Sequence, residues 1–406
     1  MRASKAGALI LAAAAASALT AACGSQQADV GTVRGAAQSA ALPLATSLVT
    51  QAGQGWAVIQ MGGSTARHDN FWELFFRPAR ASAWKLATPP GVASNGGLVV
   101  AASPAGSSTA SSSTAKSSTA TGASLIAGFR PSQSLTFSPL AASTDQAKTW
   151  SQEALVDPGL ANVPDSLAIG PNGEVAVLTD AGRAELAARL GASWSALTGL
   201  DALAKTGAGR ACRLTALTAA AFTSGGAPLL AGACGKPGAV GIFVLDRGSW
   251  RAVGPVLPGA LAHGRVMVLG LATASGRITA LLSVRRGRGT DILAAWSDDD
   301  ASHWTMSAAL RSGSARLVSQ SLWPGGAAGL VLAGGLGETI AGPGAAWRAL
   351  PPLPARTATL ALGPAGQLQA LTADSASFAA WQLGTGSAGW TRLQAAAVVI
   401  PYGSSG

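Results

Sequence analysis

The sequence predicts an all-β fold, a seven-bladed β-propeller, because a tryptophan that opens a short strand-like segment recurs along the chain. The recurring residues are Trp84, Trp150, Trp194, Trp250, Trp304, Trp347 and Trp390. Most of their separations fall near the roughly 40 to 50 residues that a four-stranded propeller blade requires. The one long gap holds a run rich in Ser, Thr and Ala, residues 106–124. Seven tryptophans therefore predict seven blades.

A second repeat supports the first. Ser166–Thr179 recurs as Thr359–Thr372, each with two short apolar runs around a Gly-Pro-x-Gly turn, and looser copies lie at 221–230, 271–282 and 321–332. Apolar runs flanking a glycine turn predict β-hairpins. A blade cannot bury both faces alone, so blades must stack around an axis. We expect ring closure to couple residues 47–49 with a terminal blade that ends near 397–400.

The N-terminus has the pattern of an export signal. Arg2 and Lys5 precede a short apolar stretch, Ala6–Leu19, and small residues follow. The run Thr20-Ala21-Ala22-Cys23 resembles the lipobox of bacterial lipoproteins, with Thr20 where leucine is commonest. The resemblance implies that Cys23 carries the lipid and anchors the protein to the outer face of the bacterial cytoplasmic membrane. A plain secretory signal with an incidental cysteine is the alternative.

These signals predict four regions. Residues 1–22 form the signal peptide, 23–45 a flexible tether, 46–401 the β-propeller with the insertion 106–124, and 402–406 a tail. Composition alone leaves the insertion open between a disordered loop and a glycosylated one.

Cysteine usage agrees with an exported protein. With Cys23 lipidated, Cys212 and Cys234 remain as an even pair in an oxidising compartment. They flank a Ser-Gly-Gly turn, which places them on neighbouring antiparallel strands, and we expect a disulfide; two free buried thiols are the alternative. The scattered histidines His68, His263 and His303 add too few ligands for a metal site, so no metal or other cofactor is predicted.

Two segments share the spacing S-x-D-x-A-x-x-W. They contain Ser143, Asp145 and Trp150, and then Ser297, Asp299 and Trp304. Both resemble the Asp-box, S-x-D-x-G-x-x-W, of BNR-repeat propellers in the sialidase-like superfamily. The resemblance implies a structural turn in which Ser and Asp bind the backbone and Trp packs between blades. In that family the box lies away from the active centre, so it implies no activity.

The sialidase-like resemblance extends poorly to catalysis. Those enzymes use a Tyr nucleophile, an acid/base Asp and three Arg residues, the first in an F/Y-R-I-P motif. Phe76-Arg77-Pro78 lacks the isoleucine, and the one tyrosine, Tyr402, lies in the tail. No G-x-S-x-G elbow or phosphate-binding glycine loop is present. No catalytic residue is predicted; an atypical glycan-processing hydrolase, the alternative, would place Arg77 and two further arginines near the axis.

The chain is basic, with 28 Lys and Arg against 18 Asp and Glu, a formal net charge of +10. This charge favours anionic lipid, wall polymer or acidic glycan as a partner, although the arginines are spread along the chain. Nucleic acid is excluded because no basic helix or aromatic-basic strand is present. We therefore expect a monomeric, non-catalytic binding or scaffold protein of the cell envelope, with a protein or glycan ligand at one face of the ring.

Overall fold

The computed structural model describes residues 44–50, 52–61, 71–89, 97–103, 124–129, 140–153, 164–298, 300–313, 315–374, 376–384 and 389–398. Most of them lie in antiparallel β-strands, so the predicted all-β class is confirmed. The signal peptide with Cys23, the insertion up to residue 123, Asp299 and the tail lie outside the described residues. In the part that is described, no helix has the length and hydropathy needed to span a membrane.

Successive strands pair in order, so that each sheet is built from one continuous stretch of chain. Five sheets have four strands each. The first three contain β1 (Thr46–Val49), β2 (Gly55–Met61), β3 (Phe71–Arg77) and β4 (Lys85–Leu86); β5 (Leu98–Ala102), β6 (Leu125–Phe129), β7 (Leu140–Ser143) and β8 (Ser151–Glu153); and β9 (Pro164–Ile169), β10 (Val175–Thr179), β11 (Arg183–Ala187) and β12 (Trp194–Gly199). The last two contain β22 (Leu317–Leu322), β23 (Ala328–Leu332), β24 (Leu336–Ile340) and β25 (Arg348–Ala349); and β26 (Thr357–Leu362), β27 (Leu368–Asp374), β28 (Ser377–Leu383) and β29 (Trp390–Ala397).

The remaining sheet has nine strands and contains two successive meanders. They are β13 (Leu214–Phe222), β14 (Pro228–Cys234), β15 (Gly241–Asp246), β16 (Ser249–Ala252), and β17 (Arg265–Ala274), β18 (Arg277–Arg286), β19 (Gly289–Ser297), β20 (Thr305–Met306), with β21 (Leu310–Gly313) beside β19. A single pairing, Ala233 with Met267, joins the two meanders. Consecutive four-stranded meanders whose first strands share one central cavity make the fold a β-propeller.

The alternating strand direction gives the molecule two faces. The first strand of each meander begins at one face, here called the entry face, which also carries the turns between second and third strands and the connections between meanders. Each first strand ends at the opposite face, here called the hairpin face, which carries the turns between first and second and between third and fourth strands. The entry face also carries the two α-helices of the described chain, α1 (Leu200–Ala204) and α2 (Gly207–Cys212), which the sequence did not predict, and a 3-10 turn (Gly259–His263). A second 3-10 turn (Pro324–Gly326) lies at the hairpin face.

The disulfide between Cys212 and Cys234 is present, with the two Cα atoms 5.2 Å apart. The expected placement on neighbouring strands is wrong for Cys212, which ends helix α2, whereas Cys234 ends β14. Helix α2 starts with the Thr206 hydroxyl accepting a hydrogen bond from the Gly209 N–H and ends at Arg213, whose φ is 54°. The bond therefore fastens a helical connection to the sheet that follows it.

The tryptophan repeat marks the outermost strand of each meander. Each of the seven residues directly precedes that strand or is its first or second residue. Three of the indoles donate a hydrogen bond to another meander: Trp304 to the Val253 carbonyl after β16 (2.6 Å), Trp347 to Ser307 after β20 (3.2 Å), and Trp84 to Gln369 on β27 (3.0 Å). The predicted role of tryptophan in filling the gap between neighbouring sheets is consistent with these bonds.

The second repeat forms the predicted hairpins. Its turns are five residues long and have glycine at the fourth position, as at Gly173 (φ 92°) and Gly366 (φ 77°), where a side chain would be strained. In both, the N–H of the first turn residue donates to the carbonyl of the fifth. The insertion occupies the matching place between β5 and β6, since the described chain stops at Ser103 and resumes at Ser124, whose backbones are hydrogen-bonded.

A seam of buried hydroxyls joins the first sheet to the last two. The Ser47 hydroxyl of β1 donates to the Leu360 carbonyl of β26 (2.7 Å) and accepts from the Trp323 indole (3.0 Å). The Ser47 N–H donates to the Ser321 hydroxyl of β22 (2.9 Å). Ser319 and Thr359 add a hydroxyl pair between β22 and β26 (2.6 Å). Residues 47–49 are thus coupled to the terminal sheet, as the sequence predicts, through side chains rather than through strand pairing.

Replacing Ser47 with alanine will destabilise the protein. The change leaves the Leu360 carbonyl and the Trp323 N–H buried with one partner fewer, which costs about 1–3 kcal/mol. Urea unfolding measures the loss. Ser249→Ala, on the exposed strand β16, is the matched control and should change stability by less than about 0.5 kcal/mol. Equal unfolding midpoints for the two variants would contradict the role of the seam.

Candidate functional site

The candidate site is a central cavity of about 470 Å³ bounded by first strands. Its walls come from β1, β5, β9, β13, β17 and β22. Among the described first strands, β26 alone adds no residue to these walls, because β1 bonds directly to β22 through the Gln320 N–H and the Ala45 carbonyl. Cavities of this size accommodate a drug-sized molecule or a short peptide segment.

The cavity walls are mainly aliphatic. Half-buried Leu48, Val100, Ile169, Leu269 and Leu317 contribute to them. Each is partly accessible, so the cavity presents apolar surface that a ligand could remove from solvent. Arg316 is exposed at the entry-face end of the cavity, where Asp165 also lies, and supplies a positive charge there.

Polar side chains in the walls are used to tie neighbouring first strands together. Thr218 of β13 donates to the Val268 carbonyl of β17 (2.6 Å), and Gln320 of β22 donates to the Leu269 carbonyl (2.6 Å). On the other side of β13, the Ala220 N–H donates to the Ser166 hydroxyl (3.0 Å). These bonds satisfy backbone groups at the inner strand edges, which pairing within each sheet leaves open.

One wall atom keeps unused bonding capacity. Oε1 of Gln320 is buried and accepts no hydrogen bond from a described residue, although Nε2 of the same amide is bound. A buried acceptor without a donor is costly, so a donor group on a ligand would be favoured at this point of the wall. The sequence did not point to Arg316 and Gln320, because neither belongs to a recognisable motif; Arg316 directly precedes β22 and Gln320 lies within it.

The first Asp-box-like segment forms a closed turn at the hairpin face. The Ser143 hydroxyl donates to Asp145 (2.9 Å) and accepts from the Ala147 N–H (2.9 Å). The Asp145 carboxylate accepts from the N–H groups of Lys148 (3.0 Å) and Thr149 (2.9 Å) and from the Thr149 hydroxyl (2.6 Å). Every ligand of this carboxylate lies within its own turn, so the residue has a structural part here.

The second segment follows the same plan where it is described. The Ala301 N–H donates to the Ser297 hydroxyl (3.0 Å), and Asp300 and Ala301 have φ values of 53° and 70°. Alanine at the position of the usual glycine therefore still adopts the left-handed conformation. Asp300 also reaches the preceding hairpin, where Ser224 donates to it through both N–H (2.9 Å) and hydroxyl (2.7 Å).

Arg77 does not lie at the axis, so the placement expected of a sialidase-like hydrolase is wrong. The residue is fully buried at the end of β3, and its guanidinium donates only to backbone carbonyls, including Gly53 (3.1 Å) and Leu362 (3.0 Å). Trp84 lies 5.5 Å from it in a cation–π contact. Burial lowers the pKa of Arg77. Arg77 therefore joins the first and last sheets instead of facing a substrate.

Other titratable groups are also accounted for by the fold. Glu73 is buried on β3, where burial raises its pKa and a hydrogen bond from the Thr88 hydroxyl partly offsets the effect. It does not line the cavity, and its sequence neighbours His68 and Asp69 lie outside the described residues. Among the residues whose positions are described, no three His, Cys, Asp or Glu side chains converge on a point that could hold a metal ion.

Comparison with known proteins supports the fold alone. A structure of a protein from Lactobacillus plantarum is 10% identical in sequence, and the match covers 86% of this chain and 97% of that protein with a TM-score of 0.51. YCF48 from Cyanidioschyzon merolae is 14% identical, with 82% of this chain and 94% of that protein covered and a TM-score of 0.47. The fucose-binding, six-bladed lectin of Aleuria aurantia is 11% identical, with 88% of this chain and 96% of the lectin covered and a TM-score of 0.41. No protein-family model and no curated protein matches the chain.

The first Asp-box-like turn will respond to acid. Hydrogen bonds, first from the Thr149 hydroxyl and then from its N–H, hold the pKa of Asp145 at about 2, below its ordinary value of 3.8. Because the folded-state pKa is the lower one, the turn is fully stabilised above pH 3.8 and weakens as the pH falls through about 2. Thr149→Val should raise the pKa toward its ordinary value. Carboxyl NMR titration tests this; an Asp145 titrating at its ordinary value in both proteins would contradict it.

Proposed function

We propose that the protein is a lipid-anchored, extracytoplasmic, seven-bladed β-propeller that binds or scaffolds a partner without catalysing a reaction. Support for seven blades comes from the seven tryptophans on outermost strands and from the two meanders within the nine-stranded sheet. Ring closure is supported by Trp84 of the first meander, which donates a hydrogen bond to the last meander, just as Trp304 and Trp347 each donate to the meander that precedes their own.

The observation that carries the binding function is the central cavity with aliphatic walls. Hydroxyl and amide groups around it are engaged between strands, which leaves apolar surface facing the interior. An apolar wall favours an apolar group of a protein partner over a glycan, whose hydroxyls would lose hydrogen bonds to water. The alternative hydrolase requires arginines converging near the axis, and Arg77 is engaged elsewhere.

Filling the cavity will weaken binding of the aromatic anion 1-anilinonaphthalene-8-sulfonate, which we choose as the probe. A Cβ on Gly270 would lie 3.3 Å from the Gln320 amide, so Gly270→Leu extends into the cavity and should weaken binding at least tenfold (about 1.4 kcal/mol). Gly207→Leu, in helix α2 with no atom within 4 Å, is the control. Fluorescence titration measures both; equal affinities would contradict a binding site in the cavity.

The same preparations separate binding from catalysis. Incubation with fluorogenic sialosides and related glycosides should release no product. Product release that the Gly270→Leu variant abolishes would overturn the non-catalytic proposal and favour the hydrolase.

Anchoring by lipid predicts that Cys23→Ala moves the protein out of the membrane fraction. The exchange removes the thiol that would carry the acyl chains, each buried methylene of which contributes about 0.8 kcal/mol. Cell fractionation at high salt measures the distribution, and Cys212→Ala controls for loss of a cysteine elsewhere. Unchanged partitioning of the Cys23 variant at high salt would contradict lipidation.

A further inference from the structure

The entry face carries an unusual concentration of positive charge. Around the two meanders of the nine-stranded sheet, its connections and the adjoining strand ends expose six basic side chains, here called the basic patch: Arg213, Lys236, Arg265, Arg285, Arg288 and Arg311. Arg316 extends this charge to the mouth of the cavity. The sequence disperses these residues over about a hundred positions, and only the fold brings them to one face.

Backbone contacts make the basic patch continuous. The Gly235 N–H donates to the Arg213 carbonyl (2.8 Å), and the Gly238 N–H donates to the Gly264 carbonyl (2.8 Å), directly before Arg265. Arg265 and Arg285 are directly opposite each other on β17 and β18. The next turn, between β18 and β19, carries Arg288. The charges thus follow one path across neighbouring turns.

The charge of the basic patch is uncompensated. None of its six members forms an ion pair with a described residue, whereas the adjacent Arg286 is bound to buried Asp291 (2.6 Å). Like charges opposite each other, as in Arg265 and Arg285, destabilise a sheet. A concentration of charge that disfavours the fold is readily explained by an anionic partner.

The hairpin face carries charges of both signs. Its turns hold Asp145, Asp246, Asp298 and Asp300 together with the exposed bases Lys148, Arg189 and Arg247. Its Arg277 is paired with Asp298 (2.5 Å). Acidic and basic side chains are thus interleaved on the hairpin face, so an anionic surface is attracted more strongly to the unpaired basic patch.

Two further features of the entry face point to a membrane. Val256 and Leu336 are 88% and 57% exposed, and both lie at this face, Val256 in the connection between β16 and β17 and Leu336 at the start of β24. Exposed apolar residues beside basic ones suit the boundary between headgroups and acyl chains. The described chain also begins on this face, at Leu44 before β1, so the segment leading back to Cys23 starts there.

We infer that the basic patch docks on the anionic phospholipid headgroups of a bilayer and holds the entry face against the membrane. Arginine and lysine contact the phosphates, while Val256 and Leu336 enter the interface. This docking adds an orientation to the proposed lipid anchor and does not require the acyl chain. The hairpin face is then directed away from the bilayer.

Vesicle sedimentation of the full chain carrying Cys23→Ala tests the docking apart from lipidation. The protein should bind vesicles of phosphatidylglycerol and phosphatidylcholine, should bind pure phosphatidylcholine far more weakly, and should be released as salt screens the charges. The triple variant Arg265→Gln, Arg285→Gln, Arg288→Gln should bind the anionic vesicles about 100-fold more weakly, since each basic residue contributes roughly fivefold.

A matched variant keeps the result interpretable. Lys148→Gln, Arg189→Gln, Arg247→Gln removes the same net charge from exposed positions in turns of the hairpin face and should bind as the parent does. In a second pair, Val256→Ser with Leu336→Ser should weaken binding, whereas Leu86→Ser with Leu393→Ser, on outermost strands, should not. Thermal unfolding confirms that each variant is folded.

Three outcomes would overturn the inference. The first is equal affinity of the protein for anionic and neutral vesicles, and the second is equal weakening of vesicle binding by both triple variants. The third is a protein that binds to heparin but to no vesicle, which would assign the basic patch to an anionic polymer instead. Failure here leaves the Cys23 fractionation result untouched, because that experiment is read at high salt.

Discussion

The structure depends on how the inner edges of the first strands are satisfied. An edge strand leaves backbone N–H and carbonyl groups without partners, and at the centre of a propeller no further strand is present to bind them. Here side chains of the neighbouring meander supply the partners: the Thr218 hydroxyl donates to the Val268 carbonyl and the Ser47 hydroxyl to the Leu360 carbonyl. Because these polar groups are used between strands, the cavity itself is left with aliphatic walls.

Small hydroxyl residues also decide where the last sheet lies. Ser47, Ser319, Ser321 and Thr359 are almost fully buried, and their short side chains let β1, β22 and β26 approach closely while every hydroxyl finds a partner. The parallel bridge between Ala45 and Ser319 brings β1 beside β22. Strand β26 therefore contributes to the seam and not to the cavity, so the first and last sheets meet behind the cavity wall.

The features that recur in every meander could be predicted from the sequence, whereas the features that occur once could not. Tryptophan at each outermost strand and glycine in each hairpin turn recur because every meander has the same gap and the same turn to fill, so the repeats and the hairpins could be predicted from them. Cys212 was misplaced because the helix that holds it occurs once. The placement of Arg77 near the axis belonged to the alternative hydrolase, and the partial motif gave no information about its burial. The cavity residue Gln320 acts through a partner on another sheet, the Leu269 carbonyl, and no local pattern reveals such a contact.

The charge distribution links the fold to the proposed role. On the hairpin face, carboxylates bind backbone N–H groups of their own turns, as Asp145 does, or bind neighbouring turns, as Asp300 does. On the entry face, no carboxylate of the described chain binds the basic patch. Carboxylates of the entry face pair with other arginines, as Asp291 does with Arg286, whereas the six members of the basic patch remain available to a partner. With the entry face on the bilayer, the cavity mouth bearing Arg316 faces the headgroups, and a soluble partner approaches the cavity from the hairpin face.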